Sequence, residues 1–329
     1  MRLYIFFTLV GFTLMTMIWI VAFYYQLGVP ARPGTEVAWI SAAYAQKMSA
    51  ANAIKSRKIL IVGGSSALFG ISAAQIEQAI NIPTINFGVH ALMGLEQNLE
   101  RAKLVAKPND IILLALEYVQ YKYNHHLNQV EITSILVQDP ANFHNLPIAK
   151  KIEIMFSIPL KELLRRIYMR IHPPVLLLGT RSDLIAYNPE SFNKNGDVTL
   201  NKKIHKTQKQ LQARSNPERH KNFDKNATAW GIITDFYNWC KKNKIKIIVT
   251  FPSFLYHQAY NSKDEKEFFD YVLKFYKNLG VDILGTPYDF MYDNQFFYDS
   301  NYHLNDVGTR KHTNSIIMLL KELIKKNKL

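Results

Sequence analysis

The chain has 329 residues, 48% of them apolar, with 40 basic residues against 26 acidic and a formal charge of +14. That length suits one large α/β domain with a small insertion, the apolar share excludes general disorder, and the basic excess suits an anionic partner. Its single cysteine, Cys240, excludes a disulfide framework and a cysteine-based zinc site.

Residues 3–25, LYIFFTLVGFTLMTMIWIVAFYY, carry no charge. A run of this length crosses a hydrocarbon core of about 30 Å at about 1.5 Å per residue. Aromatic residues gather at both ends, as at lipid interfaces. The run is longer than a signal-peptide core, so residues 1–25 read as an uncleaved anchor. Flanking charge does not orient it, because Arg2 and Arg32 nearly balance. Residues 26–57 read as a linker, broken by Pro30, Pro33 and Gly34, with a helix-like stretch at 37–55.

From residue 58 the pattern becomes strand and helix in alternation. KILIVGG is a buried strand, 72–80 a helix, 83–89 a second strand, 95–106 a helix and 110–118 a third strand. Residues 119–230 break the rhythm and read as an insertion or cap, with an amphipathic stretch at 149–171. Alternation returns with a helix at 225–242, strands at 245–251 and 281–285, and helices at 263–279 and 307–326. Apolar strands separated by helices imply a parallel sheet covered on both faces, an α/β domain over 58–329. The basic residues are scattered. Lys202, Lys203, Lys206, Lys209 and Arg214 form one loose run and Lys321, Lys325, Lys326 and Lys328 another, without a nucleic-acid-binding motif. Nucleic acid is therefore not an expected partner, and most of these lysines read as solvated surface.

In open α/β sheets, sites form beyond the carboxyl ends of the strands. There the chain places Gly63, Gly64, Ser65 and Ser66 after the first strand, and Asn86, Gly88 and His90 after the second. Glu117 and Tyr118 follow the third, and Pro252 and Ser253 the fourth. Before the last helix stand Asp299 and His303. A serine hydroxyl needs a base to act as a nucleophile, and the base is best oriented by a carboxylate. On a helical turn, residues four apart face the same way, so Asp299 can hold one nitrogen of His303 while the other faces a serine. Glycines before the serine let backbone N–H groups approach a developing oxyanion. His90 reads mainly as a structural histidine, and His257 is a weaker candidate for the same pocket. Asn305 reads as the cap of the last helix, and Cys240 as a small buried residue. The ten histidines are dispersed, no metal-binding spacing occurs, and no cofactor is expected.

These blocks resemble the SGNH (GDSL-type) hydrolase superfamily. Gly63-Gly64-Ser65 is similar to its Gly-Asp-Ser, with Gly64 in the aspartate's place. NFGVHALMG is similar to its second block, with Gly88 as the N–H donor. DSNYHLN is similar to the terminal Asp-x-x-His, with the acid one residue further away. The likeness covers about 58–120 and 245–320. It implies a three-layer, flavodoxin-like parallel sheet and a Ser65–His303–Asp299 acyl-enzyme mechanism, with Gly64, Gly88, Glu117, Ser66 and His90 around the oxyanion and pocket. Ser66 also fits the nucleophile spacing; Ser65, directly after Gly-Gly, is preferred. The third block departs from the pattern: Glu117 stands where an asparagine donates, and a carboxylate there opposes an oxyanion unless protonated or turned away. Membrane-anchored members, such as alginate acetylation proteins and the D-alanyl-transfer protein of teichoic acid systems, act outside the cytoplasm beside a membrane-bound O-acyltransferase. The resemblance therefore implies a periplasmic O-acyl (acetyl) transferase or esterase, with envelope polysaccharide and an acyl donor as partners. The alternative is a non-catalytic protein of this fold that binds glycan or the acyltransferase.

Overall fold

A computed structural model of the protein describes residues 1–124, 127–138, 143–144, 146–173, 185–202 and 217–329. The uncharged N-terminal run is one helix, α1 (Arg2–Tyr25). It is the one helix among the described residues long and apolar enough to cross a membrane. Its threonines do not interrupt it, because Thr8, Thr13 and Thr16 each donate to the carbonyl four residues back.

The expected linker holds a second helix, α2 (Glu36–Ala53). This helix is no tether: Trp39, Ile40, Ala43, Tyr44 and Ala51 are buried in the main core. Its apolar residues point inward because β2 and another helix receive them, which chain-local patterning does not reveal.

The α/β alternation then runs β1 (Ile59–Gly63), α3 (Ser65–Gly70), α4 (Ala73–Ile80), β2 (Thr84–Asn86), α5 (Leu95–Lys103) and β3 (Ile111–Ala115). The region expected as an insertion supplies α6 (Gln129–Gln138), α7 (Ile148–Ser157) and α8 (Leu160–Ile171). These pack Ile132, Ile135, Ile154, Met155 and Leu163 with Phe23 of α1 into a separate apolar core. The basic residues Lys203, Lys206, Lys209 and Arg214 lie outside the described residues. The chain ends with α9 (Thr228–Lys242), β4 (Lys246–Val249), β5 (Phe254–Leu255), α10 (Lys263–Leu279), β6 (Asp282–Ile283), β7 (Met291–Tyr292) and α11 (Asp306–Lys325).

Five strands form a parallel sheet in the order β2–β1–β3–β4–β6, while β5 and β7 pair separately. β1 and β3 are buried along their whole length, as their unbroken apolar sequences require. The strand order reverses between β1 and β3. Right-handed crossovers therefore send α4 to one face and α5 to the other, leaving a crevice at the carboxyl ends of β1 and β3.

The register of β1 on β3 is fixed at the opposite end. Lys58 Nζ lies 2.6 Å from Asp110 Oδ2, both groups being buried. Asp110 also accepts the N–H groups of Lys58 at 3.0 Å and Lys107 at 2.8 Å. Asp110→Ala leaves the Lys58 ammonium buried without its partner. It should cost about 3–5 kcal/mol, read as a lowered denaturant midpoint of the full chain in detergent; a loss below about 1 kcal/mol, the size of a surface pair, counts against this role.

Candidate functional site

Gly63 pairs with Ala115 in the parallel register. Two residues beyond each stand Ser65 and Glu117, so the sheet itself brings them face to face. The Ser65 hydroxyl donates to Glu117 Oε1 at 3.1 Å, and the Ser66 N–H donates to the same oxygen at 2.7 Å. The glycines make this approach possible. A Cβ at Gly63 would collide with the Ala115 carbonyl, and one at Gly64 would lie 2.5 Å from Glu117 Oε1 and 2.8 Å from Ala91 Cβ. The two serines separate here: Ser65 is 7% exposed, whereas Ser66 is 1% exposed and its hydroxyl has no hydrogen-bond partner. Burial pushes the Glu117 carboxyl above the ordinary carboxylate range. The Ser66 N–H, the charges of His303 and His90 and the Ser65 hydroxyl oppose that shift.

The second half of the site comes from the other end of the chain. His303 Nδ1 lies 2.7 Å from Asp299 Oδ1. The pair forms, though not on the expected helical turn. Phe297 and Leu304 make an antiparallel bridge, and the Tyr298 N–H donates to the His303 carbonyl at 2.7 Å. A tight hairpin-like bend thus closes Asp299 onto His303, because the helix starts only at Asp306. Asn305 caps that helix as expected, accepting the Gly308 N–H at 3.0 Å. The Ser253 hydroxyl donates to the Tyr302 carbonyl at 2.8 Å and ties the bend to the end of β4.

The His303 ring stacks on Phe69, with centroids 4.5 Å apart. Phe69 lies on α3, the helix that opens with Ser65. Thr309 of α11 donates to the Phe69 carbonyl at 2.6 Å, holding the two halves together. Against protein-family models, curated proteins and solved structures alike, the chain matches none.

Other expected residues are placed differently. The Gly88 N–H, expected to face an oxyanion, donates to Asn86 Oδ1 at 3.1 Å. A Cβ at Gly88 would lie 2.7 Å from Ala67 Cβ, so this glycine serves close packing on α3. His90 Nε2 lies 2.9 Å from Glu36 Oε1, and its Nδ1 accepts the Leu92 N–H at 3.1 Å. His257 stands exposed and caps its own turn, Nδ1 accepting the Ala259 N–H at 3.1 Å. Cys240 is buried, which pushes its thiol up to about 12.

Two residues escaped the sequence reading. The Tyr187 hydroxyl donates to Asp299 Oδ2 at 2.8 Å and lies 2.9 Å from His303 Nδ1. Lys47 of α2 is buried and donates to the carbonyls of Asn86 at 2.9 Å and Gly88 at 2.7 Å. Burial lowers its pKa to about 7, against the opposing charge of Asp197. Neither carries a local signal: Tyr187 ends a single 3-10 turn and Lys47 sits in an ordinary helix. Among the described residues, no group of three or more His, Cys, Asp or Glu side chains gathers for a metal ion.

Glu117 sets a pH dependence. Its folded pKa lies above the unfolded value, so its contribution to stability is complete below about pH 4.3 and is lost as pH rises through the folded pKa. Glu117→Gln keeps an oxygen for the Ser66 N–H and cannot ionise. Its thermal midpoint should therefore fall less than the wild type's as pH rises from about 4 to about 8. Parallel pH profiles for the two proteins exclude a raised Glu117.

Proposed function

We propose that this chain is a membrane-anchored serine O-acyltransferase or esterase that acts on cell-envelope polysaccharide through an acyl-enzyme on Ser65. The observation carrying this reading is the fixed His303 ring, bonded to Asp299 and stacked on the helix that begins with Ser65. The SGNH likeness adds the chain order of the three groups. The strand order β2–β1–β3–β4–β6, which reverses between β1 and β3 as in doubly wound sheets, supports the three-layer, flavodoxin-like fold that the likeness implies.

In this mechanism Ser65 Oγ attacks the acyl carbonyl and its proton passes to His303 Nε2, the nitrogen away from Asp299. The imidazolium gives that proton to the leaving oxygen, and the acyl ester remains on Ser65. Water or a sugar hydroxyl then attacks the ester, losing its proton to His303, and Ser65 recovers its own. Tyr187 and Asp299 hold the imidazole in the required tautomer. The carbonyl oxygen of the substrate takes the Ser66 N–H from Glu117, and burial favours the neutral acid that an oxyanion tolerates. The SGNH likeness supports a periplasmic catalytic domain, an envelope glycan as acceptor, and an acyl donor supplied beside a membrane-bound O-acyltransferase. The anchor α1 and the basic surface fit that setting.

A second reading has one specific support. Glu117 already occupies the Ser66 N–H, which suits a non-catalytic protein of this fold that binds glycan or the acyltransferase.

The test uses the full chain in detergent with a fluorophosphonate probe and p-nitrophenyl acetate. Ser65→Ala should abolish labelling, and Ser66→Ala should retain it. His303→Ala should lower ester cleavage about 10²–10⁴-fold, and Tyr187→Phe about tenfold, the worth of one hydrogen bond to a charged group. A folded wild type that leaves Ser65 unlabelled supports the binding role instead.

A further inference from the structure

An ordinary surface helix is apolar on the side that faces the core and polar on the other. α7 and α8 are apolar on two sides. One side, with Ile154, Met155 and Leu163, is buried in the core shared with α1. The other exposes Ile148, Ile152 and Phe156 on α7, then Leu160, Leu164 and Tyr168 on α8. Successive members are four residues apart, so they form one stripe along each helix. Each is between 49% and 72% exposed. A contiguous patch of this kind is rare on a soluble surface and marks a docking site.

The stripe continues onto the membrane helix. The Phe156 ring lies parallel to the Trp19 indole of α1, with centroids 6.4 Å apart and an interplanar angle of 1°. Trp19 Nε1 donates to the Met155 carbonyl at 3.2 Å. At the far end of α8, Arg170 donates to the Leu27 carbonyl at 3.1 Å and sits over the Tyr25 ring at 5.5 Å. Arg166 bonds Gln26 and donates to the Val29 carbonyl at 3.1 Å. The helix pair is thus tied to residues 19–29, where an aromatic belt marks the interface level of a span. Residues 148–171 also carry five basic groups that are not buried, Lys150, Lys151, Lys161, Arg165 and Arg170, against two acidic ones, Glu153 and Glu162; the sixth, Arg166, is buried.

From this we infer that α7 and α8 lie in the membrane interface, with their exposed stripe in the acyl chains and their solvent-accessible cations among anionic headgroups. The inference rests on the reading of α1 as a membrane anchor. The occupant is lipid because the stripe adjoins a helix whose own apolar surface needs lipid, and because the cationic excess suits anionic headgroups. The chain is then held by a span and by a raft of two helices on one leaflet, which fixes the catalytic domain's tilt as well as its distance.

The test is spin labelling of the full chain in vesicles of phosphatidylcholine and phosphatidylglycerol. Cys240 is buried, so an introduced thiol takes the label. Labels go at Phe156→Cys and Leu164→Cys, with Leu14→Cys as lipid reference and Lys242→Cys as water reference; Ile152→Cys replaces Phe156→Cys should the latter not fold. Labels on the stripe should collide with oxygen more than with a water-soluble nickel chelate, as at Leu14 and opposite to Lys242. Water-like collisions on the stripe, with Leu14 still lipid-like, overturn the inference and leave the anchor standing. Shielding from both reagents shows a protein cover and also overturns it. A water-like signature at Leu14 removes the anchor, and the inference with it.

Discussion

One carboxylate oxygen organises the site. Glu117 Oε1 takes the Ser65 hydroxyl and the Ser66 N–H together, at the junction where β1 turns into α3. Parallel register delivers this contact, since Gly63 and Ala115 are partners and both chains run on by two residues. Glycine at 64 is its steric condition, because any side chain there meets the carboxylate. Gly64 and Glu117 are therefore one steric pair, the glycine leaving room for an acid that reaches over from the neighbouring strand.

The His303 side depends on a different kind of support. No regular element holds Asp299 and His303. Their geometry comes from a bend pinned by the Phe297–Leu304 bridge, by Ser253 from β4, and by Tyr187 from the segment before α9. Phe69 and Thr309 then lock this bend to α3. Such a site is assembled from four distant stretches of chain, so its precision is a property of the packed fold. Stacking against an aromatic ring and a hydrogen bond to carboxylate together leave the imidazole little freedom.

The sequence made legible those features that repeat or run on locally. Buried parallel strands announce themselves as apolar runs, so ILIVG and IILLA were readable, as was the uncharged span of α1. The Asp299 and His303 pair was found for a helical reason that does not apply; a spacing of four closes equally well in a hairpin bend. Gly88 was assigned an oxyanion role, yet a glycine's need for close packing leaves the same trace in sequence as a need to donate. Tyr187 and Lys47 could not be read at all. Their roles arise from contacts across 116 and 41 residues, respectively, and nothing in their neighbours encodes those partners.

The segment between α1 and the sheet is built into the domain. A linker would let the domain swing freely. Instead α2 sends Glu36 to His90, Trp39 to the Tyr187 ring at 5.5 Å, and Lys47 to the Gly88 carbonyl. These three contacts tie α2 to the residues around the site, while its first residue, Glu36, follows the end of α1 at Tyr25 by eleven positions. Across the same gap, Gly28 donates to the Leu136 carbonyl at 2.8 Å, so α6 also grips the chain just after α1. Burial of Trp39 and Tyr44 in the main core makes this arrangement stiff, since freeing α2 would expose both large side chains to water.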